Sequence, residues 1–172
     1  MLKFTLGLRP SAGQTNRWFV CPLAKHKTPE AEVQMRRPVQ KTLLIMLLIY
    51  GAASLIHFIH NAEFLADYPG MPASWTSAGV YFAWIGVTVV GVIGWILLAR
   101  GYHLAGLLLL AVYAALGLDS LGHYVLAPLS DHTATMNSTI LLEVAAAALV
   151  LIEIVRQMAR RMLHRESPEH DA

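Results

Sequence analysis

Four long runs of apolar residues, separated by short polar segments, dominate the chain. They cover about 43–66, 79–99, 102–126 and 138–155, and none of the four contains Lys or Arg. A turn-rich segment, Pro69-Gly70-Met71-Pro72, follows the first run. A helix needs roughly 20 apolar residues to cross a bilayer. The pattern therefore predicts an all-α integral membrane protein, with a four-helix transmembrane bundle over residues 42–156.

The composition agrees with a membrane protein. Of the 172 residues, 56% are hydrophobic and only 14% are charged, whereas a soluble domain has about a quarter of its residues charged. The single cysteine, Cys21, excludes an intrachain disulfide. A net charge of +2 without a basic and aromatic pattern gives no support for nucleic-acid binding. The partner that the apolar runs predict is the lipid bilayer.

The distribution of basic residues predicts the orientation. Eight Lys and Arg precede the first run, Arg100 lies between the second and third, and four follow the last. The other two loops contain none. By the positive-inside rule, both termini are expected in the cytoplasm, as in a protein of the bacterial inner membrane. Residues 1–41 are predicted to be a disordered cytoplasmic tail, and residues 157–172 a cytoplasmic C-terminal tail.

Ionisable residues concentrate at the outer ends of the first, third and fourth runs, although such residues are costly in hydrocarbon. Counting about 1.5 Å per residue from the cytoplasmic boundary places His57, Asp119 and Glu143, one from each run, at depths of about 20–25 Å. Spacings of three and four residues place several of them in pairs on one helix face. The candidate functional residues are His57, His60, Glu63, Asp119, His123, His132 and Glu143.

The charge balance of this outer region predicts a bound cation. Five carboxylates, including Asp67 and Asp131, have no Lys or Arg nearby in the sequence. Buried anions without partners must be protonated or be neutralised by a cation. Imidazole and carboxylate ligands together suit zinc, iron or manganese. We predict one or two transition-metal ions, zinc or iron, with copper or haem b as alternatives. The predicted ligands are His57, His60, Asp119, His123, His132 and Glu143, with Glu63 as a catalytic base.

The resulting functional prediction is a membrane metalloprotein, namely a metal-dependent hydrolase or oxidoreductase whose site faces the extracytoplasmic side. Its substrate would be a lipid-soluble or periplasmic small molecule. Three alternatives stay open: a b-type haem protein, a metal or proton carrier, and a metal-free acid–base enzyme acting on a lipid. Haem would leave the carboxylates unexplained. A carrier would need polar groups along a whole path, whereas the inner halves of the runs are nearly all aliphatic.

One motif resembles known membrane metal sites. Asp119-x-x-x-His123, followed by His132 in the loop, resembles the copper-binding region of the C subunit of particulate methane and ammonia monooxygenases, over three residues and at inexact spacing. The adjacent His-His pairs of membrane desaturases are missing. Alkaline ceramidases have a zinc site of His and Asp in a membrane bundle, but with more spans. These resemblances imply a membrane metal site and no particular substrate.

Overall fold

A computed structural model of the protein describes residues 29–166, with side chains from 40 to 163. Within this part of the chain every regular element is helical, and there is no strand. Three short 3-10 turns connect the helices, at Leu65–Asp67, Asp119–Gly122 and Leu129–Asp131. The helices are α1 (Pro29–Glu63), α2 (Ser77–Ala99), α3 (His103–Leu118), α4 (His123–Leu126) and α5 (Ala134–Glu166).

The prediction of an all-α chain with four membrane-spanning helices is confirmed in its coarse form. Within residues 29–166, four segments are long and apolar enough to cross a bilayer: Gln40–Glu63, Ser77–Ala99, His103–Leu126 and Ala134–Leu163. Many large apolar side chains on their outer surfaces are exposed, among them Phe82 at 73% and Leu48 at 65%. Such a surface is suited to contact with lipid. The protein is therefore a helical membrane protein.

The first and last helices extend beyond the apolar runs. Helix α1 begins at Pro29, so residues 29–41 of the predicted tail are helical. Proline at the first helical position and acidic residues in the first turn, Glu30 and Glu32, favour a helix start. Helix α5 likewise continues to Glu166. An apolar run indicates which part of a helix lies in the membrane, but it does not indicate where the helix begins or ends. The remaining parts of both predicted tails lie outside the described residues.

The third span is divided into two helices. Helix α3 ends at Leu118, residues Asp119–Gly122 form a 3-10 turn, and α4 continues from His123. Asp and Ser side chains compete for backbone hydrogen bonds, and Gly has low helix propensity, so this segment is a weak part of the helix. The turn changes which side chains face the bundle interior at the level of the candidate residues.

Helices α1 and α5 pack against each other in antiparallel directions. Most buried positions on the two helices recur in alternating steps of four and three: 43, 47, 50, 54, 57 and 61 on α1, and 136, 140, 143, 147, 150, 154 and 157 on α5. Positions 53, 62, 139 and 146, which are also buried, lie directly beside members of this series. The alternating steps correspond to the 3.5-residue period of left-handed helix packing. We call this interface the α1–α5 seam. The half of the seam nearer the described Lys and Arg side chains is apolar and includes Leu43, Leu47, Ala147, Val150 and Ile154, whereas its other half is polar.

Helices α2 and α3 approach closely through glycines. A Cβ atom on Gly106 would lie 2.6 Å from the backbone nitrogen of Leu98, and one on Gly91 would lie 2.8 Å from the ring of Tyr113. Small residues allow such close packing between membrane helices, where the hydrophobic effect contributes little. Gly86, in contrast, has no neighbour within 4 Å of such a Cβ. The glycine positions in α2 therefore differ in their packing role.

Candidate functional site

The polar half of the α1–α5 seam, together with α4 and two loops, encloses a buried group of polar side chains. We call this group the polar cluster; its members are each at most 8% exposed. It lies at the end of the bundle opposite the described Lys and Arg side chains. The cluster consists of Ser54, His57, Asn61, Tyr68, His123, His132, Thr139 and Glu143.

His57 lies between two residues of α5. Its Nδ1 atom is 3.4 Å from Thr139 Oγ1, and its Nε2 atom is 3.7 Å from Glu143 Oε2. The Thr139 hydroxyl already donates to the Met136 carbonyl at 3.0 Å. It therefore accepts from a proton on Nδ1 of His57, and neutral His57 then presents a lone pair on Nε2 toward Glu143.

Glu143 is buried without a complete set of hydrogen bonds. Its side chain is 1% exposed, and Oε2 accepts a hydrogen bond of 2.6 Å from the Ser120 hydroxyl. Its other oxygen, Oε1, accepts no hydrogen bond of good geometry, although the hydroxyl of Ser54, itself unpaired, lies close enough to interact with the carboxyl group. The 3-10 turn at Asp119–Gly122 places Ser120 in contact with α5. Buried polar atoms are almost always paired, so an unpaired carboxylate oxygen calls for an explanation.

His132 and His123 each have one nitrogen held and one nitrogen unpaired. Nδ1 of His132 donates to the carbonyl of Pro128 at 3.1 Å, which leaves Nε2 of His132 buried with a free lone pair. Nε2 of His123 lies 3.2 Å from Asn61 Nδ2, and Nδ1 of His123 has no partner. Three imidazoles thus each direct one nitrogen to a fixed neighbour in the protein.

The histidine rings are in edge-to-face contact, and their ligand atoms do not converge. Ring centroids are 5.5 Å apart for His57 and His123, and 6.2 Å apart for His123 and His132. Two imidazoles on one tetrahedral zinc, with Zn–N bonds of about 2.0–2.1 Å, have centroids roughly 5–6 Å apart. Among the described residues, however, no three His, Cys, Asp or Glu side chains are grouped as a ready metal site.

Four of the six predicted ligands, His57, His123, His132 and Glu143, lie in the polar cluster. Asp119 is exposed on its 3-10 turn. His60 is half-buried, and its Nδ1 lies 2.9 Å from the hydroxyl of Tyr68. The ligand roles of these two residues stay predictions. The proposed base, Glu63, is exposed and accepts a hydrogen bond of 2.7 Å from Tyr81.

Tyr68 is a cluster member that the sequence did not reveal. Its position after an apolar run indicated an interfacial aromatic, but its side chain is only 3% exposed. Its ring centroid is 5.0 Å from that of His123 and 6.4 Å from that of His132. Burial raises the pKa of Tyr68 to about 12. The hydroxyl therefore stays protonated at neutral pH and is hydrogen-bonded with His60 Nδ1.

An open groove of about 550 Å³ adjoins the cluster. The connection between α1 and α2 lines it, and Glu63, Tyr68 and Trp75 are among its residues. Tyr68 belongs both to this groove and to the polar cluster. Its side chain therefore contacts His123 and also lines the groove.

Comparison with known proteins adds no relative, because no protein-family model, curated protein or solved structure matches the chain. The class of the protein is therefore defined by its fold and its polar cluster. It is a four-span helical membrane protein with a buried group of histidines and one carboxyl side chain.

Proposed function

We propose that the protein is a membrane metalloprotein that binds a transition-metal ion, zinc or iron, in the polar cluster. The carrying observation is the hydrogen bonding of the histidines. In His57 and His132, Nδ1 is held by an oxygen acceptor, and Nε2 is left with a lone pair. Ligand histidines typically donate their second N–H to a carboxylate, backbone carbonyl or water, which fixes the tautomer that can bind metal.

The charge of the cluster supports the same proposal. Glu143 has one unpaired oxygen. Among the described side chains, the Lys and Arg residues lie at the opposite end of the helices, so none of them neutralises Glu143. A bound cation would supply both the missing charge and the missing partner. We assign His57, His123, His132 and Glu143 as the ligands.

Metal binding on this assignment requires side-chain rotation. The unpaired nitrogens do not meet at one point; the 5.5 Å separation of His57 and His123 is within the range for imidazoles that share an ion, and that of His123 and His132, 6.2 Å, is slightly above it. Rotation of the rings and of the Glu143 carboxyl group within the cluster would bring the ligands together. A second ion, held by Asp119 or His60, has less support, because Asp119 is exposed and His60 is bonded to Tyr68.

The location of the cluster indicates how such a site would work. With both termini in the cytoplasm, as the basic residues favour, the groove beside Tyr68 opens at the extracytoplasmic face. A lipid-soluble or periplasmic small molecule would reach the ion from there. A bound metal can lower the pKa of a water to about 7 for hydrolysis, or can carry out redox chemistry if it is iron. We therefore propose a metal-dependent enzyme, a hydrolase or an oxidoreductase.

Elemental analysis of protein purified in mild detergent without chelator tests this proposal. We expect about one zinc or iron per chain, lost in His57→Ala and in His132→Ala. His103→Ala is the matched control, since His103 starts α3 at the opposite end of the bundle, and it should keep its metal. The proposal fails if wild-type protein carries no stoichiometric metal and binds none of zinc, iron or copper when they are added.

A metal-free acid–base site is the second candidate. It is favoured by the absence of a converged ligand group among the described residues and by the pairing of His57 with Glu143 at 3.7 Å. Such a site would exchange protons with a substrate in the groove. It predicts a protonated carboxyl band in infrared spectra that disappears in Glu143→Gln, in a protein that contains no metal. An ionised Glu143 in metal-free protein would argue against it.

The haem and carrier alternatives receive less support from the ring geometry. Axial imidazoles on the two sides of one iron have the macrocycle between them, whereas His57 and His123 are in direct edge-to-face contact at 5.5 Å. A carrier needs a polar path through the membrane, but the half of the α1–α5 seam nearer the described Lys and Arg side chains is an apolar core. An optical spectrum of the purified protein tests the haem alternative directly.

A further inference from the structure

A second groove lies between α1 and α2, at the end of the bundle opposite the polar cluster. Near the polar cluster the two helices are joined, because the Ser77 hydroxyl donates to the Ala62 carbonyl at 2.7 Å. At the opposite end they leave a space of about 280 Å³ between them. We call this space the basic groove; its lining residues are Gln40, Lys41, Leu44, Trp95, Leu98 and Ala99. None of these belongs to the polar cluster, so the basic groove is independent of the proposed metal site.

The basic groove lies at the edge of the membrane-spanning segments. The span of α1 begins at Gln40, and the span of α2 ends at Ala99. At about 1.5 Å per residue, Leu44 lies about 4.5 Å deeper than Lys41, and Trp95 lies about 6 Å deeper than Ala99. The groove therefore has a polar rim at the level of the lipid headgroups and an apolar part below it, at the level of the acyl chains.

The rim carries positive charge without an acidic partner. The Lys41 side chain is exposed at the rim, and Arg100, which is also exposed, directly follows the lining residue Ala99. Neither side chain forms an ion pair with any side chain of residues 40–163. Helix α2 contains no acidic residue. An anionic group at the rim would therefore meet a complementary charge.

We propose that the basic groove binds an anionic phospholipid. Its phosphate contacts Lys41 and Arg100, and one acyl chain lies along Leu44 and Trp95 in the apolar part. Basic pockets between transmembrane helices on the cytoplasmic side are typical sites for anionic lipid headgroups. The expected orientation, with both termini in the cytoplasm, places the basic groove in that leaflet.

Two other occupants fit the basic groove less well. A free phosphate would leave the apolar part beside Leu44 and Trp95 unfilled. A second copy of the chain in the same orientation would bring its own Lys and Arg residues to the rim, since these residues dominate the charge at this end. A phospholipid supplies both the negative charge and the apolar chain.

Native mass spectrometry of the full-length protein in nonionic detergent tests this proposal. The protein is titrated with phosphatidylglycerol, or with phosphatidylcholine of the same acyl chains, and a single phosphatidylglycerol should bind more tightly than phosphatidylcholine. Lys41→Gln should weaken this binding by at least about tenfold, because it removes a hydrogen bond to a charged group. Arg160→Gln is the matched control. It removes the same charge from α5 at the same end of the bundle, away from the groove, and should weaken binding by less than about fivefold.

Two further measurements test the apolar part of the basic groove. In Leu44→Trp the larger side chain occupies the space of the acyl chain while Lys41 remains, so tight binding of phosphatidylglycerol should be lost; circular dichroism checks that the variant is folded. Glycerol phosphate, the headgroup without chains, should not displace the bound lipid.

Four results would each overturn the proposal. They are equal binding of the two lipids, equal losses in Lys41→Gln and Arg160→Gln, displacement of the lipid by glycerol phosphate, and a dimer that excludes lipid from the groove. Lys41 is exposed, so Lys41→Gln leaves the packing of the bundle intact and decides the matter even if Leu44→Trp does not fold.

Discussion

Replacing Glu143 by Gln separates the role of its charge from the role of its shape. The side chain is 1% exposed and is held by the Ser120 hydroxyl at 2.6 Å. An amide oxygen in Gln accepts the same hydrogen bond and fills nearly the same volume. The variant loses a group that can ionise and that no described Lys or Arg side chain would neutralise. Its effect should therefore depend strongly on whether zinc is present.

The expected magnitudes follow from hydrogen bonding and linkage. Without metal, Gln keeps an oxygen that accepts the Ser120 hydrogen bond, and its neutral amide carries no cost of burying a charge. The free energy of unfolding should then change by no more than about 1 kcal/mol. At a zinc concentration of 100 times Kd, the wild type gains about 2.7 kcal/mol. If the variant binds 100-fold more weakly, it gains only about 0.4 kcal/mol at that concentration.

Thermal unfolding in detergent, followed by tryptophan fluorescence with and without zinc, measures this difference. Glu153→Gln is the matched control. Glu153 contacts Arg156 and Gln157 at the opposite end of α5, so this variant should keep the full zinc-dependent stabilisation. Two results would refute the reasoning: equal stabilisation of Glu143→Gln and wild type by zinc, or a large loss of stability in metal-free Glu143→Gln.

Three further predictions concern orientation, packing and pH. Reporter fusions at Gly70 and Asp131 should read as periplasmic and one at the C-terminus as cytoplasmic; a cytoplasmic signal at either loop contradicts the proposed orientation. Gly106→Ala should lower the free energy of unfolding by about 1–3 kcal/mol, because the new Cβ would meet the backbone of Leu98 at 2.6 Å; the control Gly86→Ala, in open space, should be neutral or stabilising in the same unfolding assay. Zinc affinity, measured by titration, should fall as the pH drops from about 7.5 to 5.5, because histidine ligands bind metal only when deprotonated; an affinity independent of pH would exclude histidine ligation.

The sequence predicted the spans because a bilayer demands long apolar segments, and such segments can be counted. It also placed His57, Asp119 and Glu143 at one depth, with His60 and His123 roughly one turn further out. Of these residues, His57, His123 and Glu143 lie together in the polar cluster. The depth of a residue in the membrane does not determine which way its side chain points around the helix axis. Asp119 was predicted at the same level, but its side chain is exposed, because the third span changes to a 3-10 turn there.

Asn61 and Tyr68, two members of the polar cluster, differ in how far their burial could be predicted from the sequence. Asn61 continues the steps of four and three that begin at Leu43, so its burial follows from the period of the α1–α5 seam. Tyr68 follows no such period. It lies in a loop, and its contacts with His123 and His132 arise from the tertiary path of that loop. Sequence periodicity has no bearing on a residue of that kind.

The α1–α5 seam has a consequence for how the cluster could change over evolution. Helices behave as stiff rods, so the separation of α1 and α5 at His57 depends on the side chains that hold them apart further along. Ala147, fully buried one turn below Glu143, is the nearest small spacer. A larger residue there would act as a wedge and would widen the space between His57 and Glu143 while leaving both in place. The size of an inert side chain thus becomes a means of adjusting which ion, or how much water, the cluster can hold.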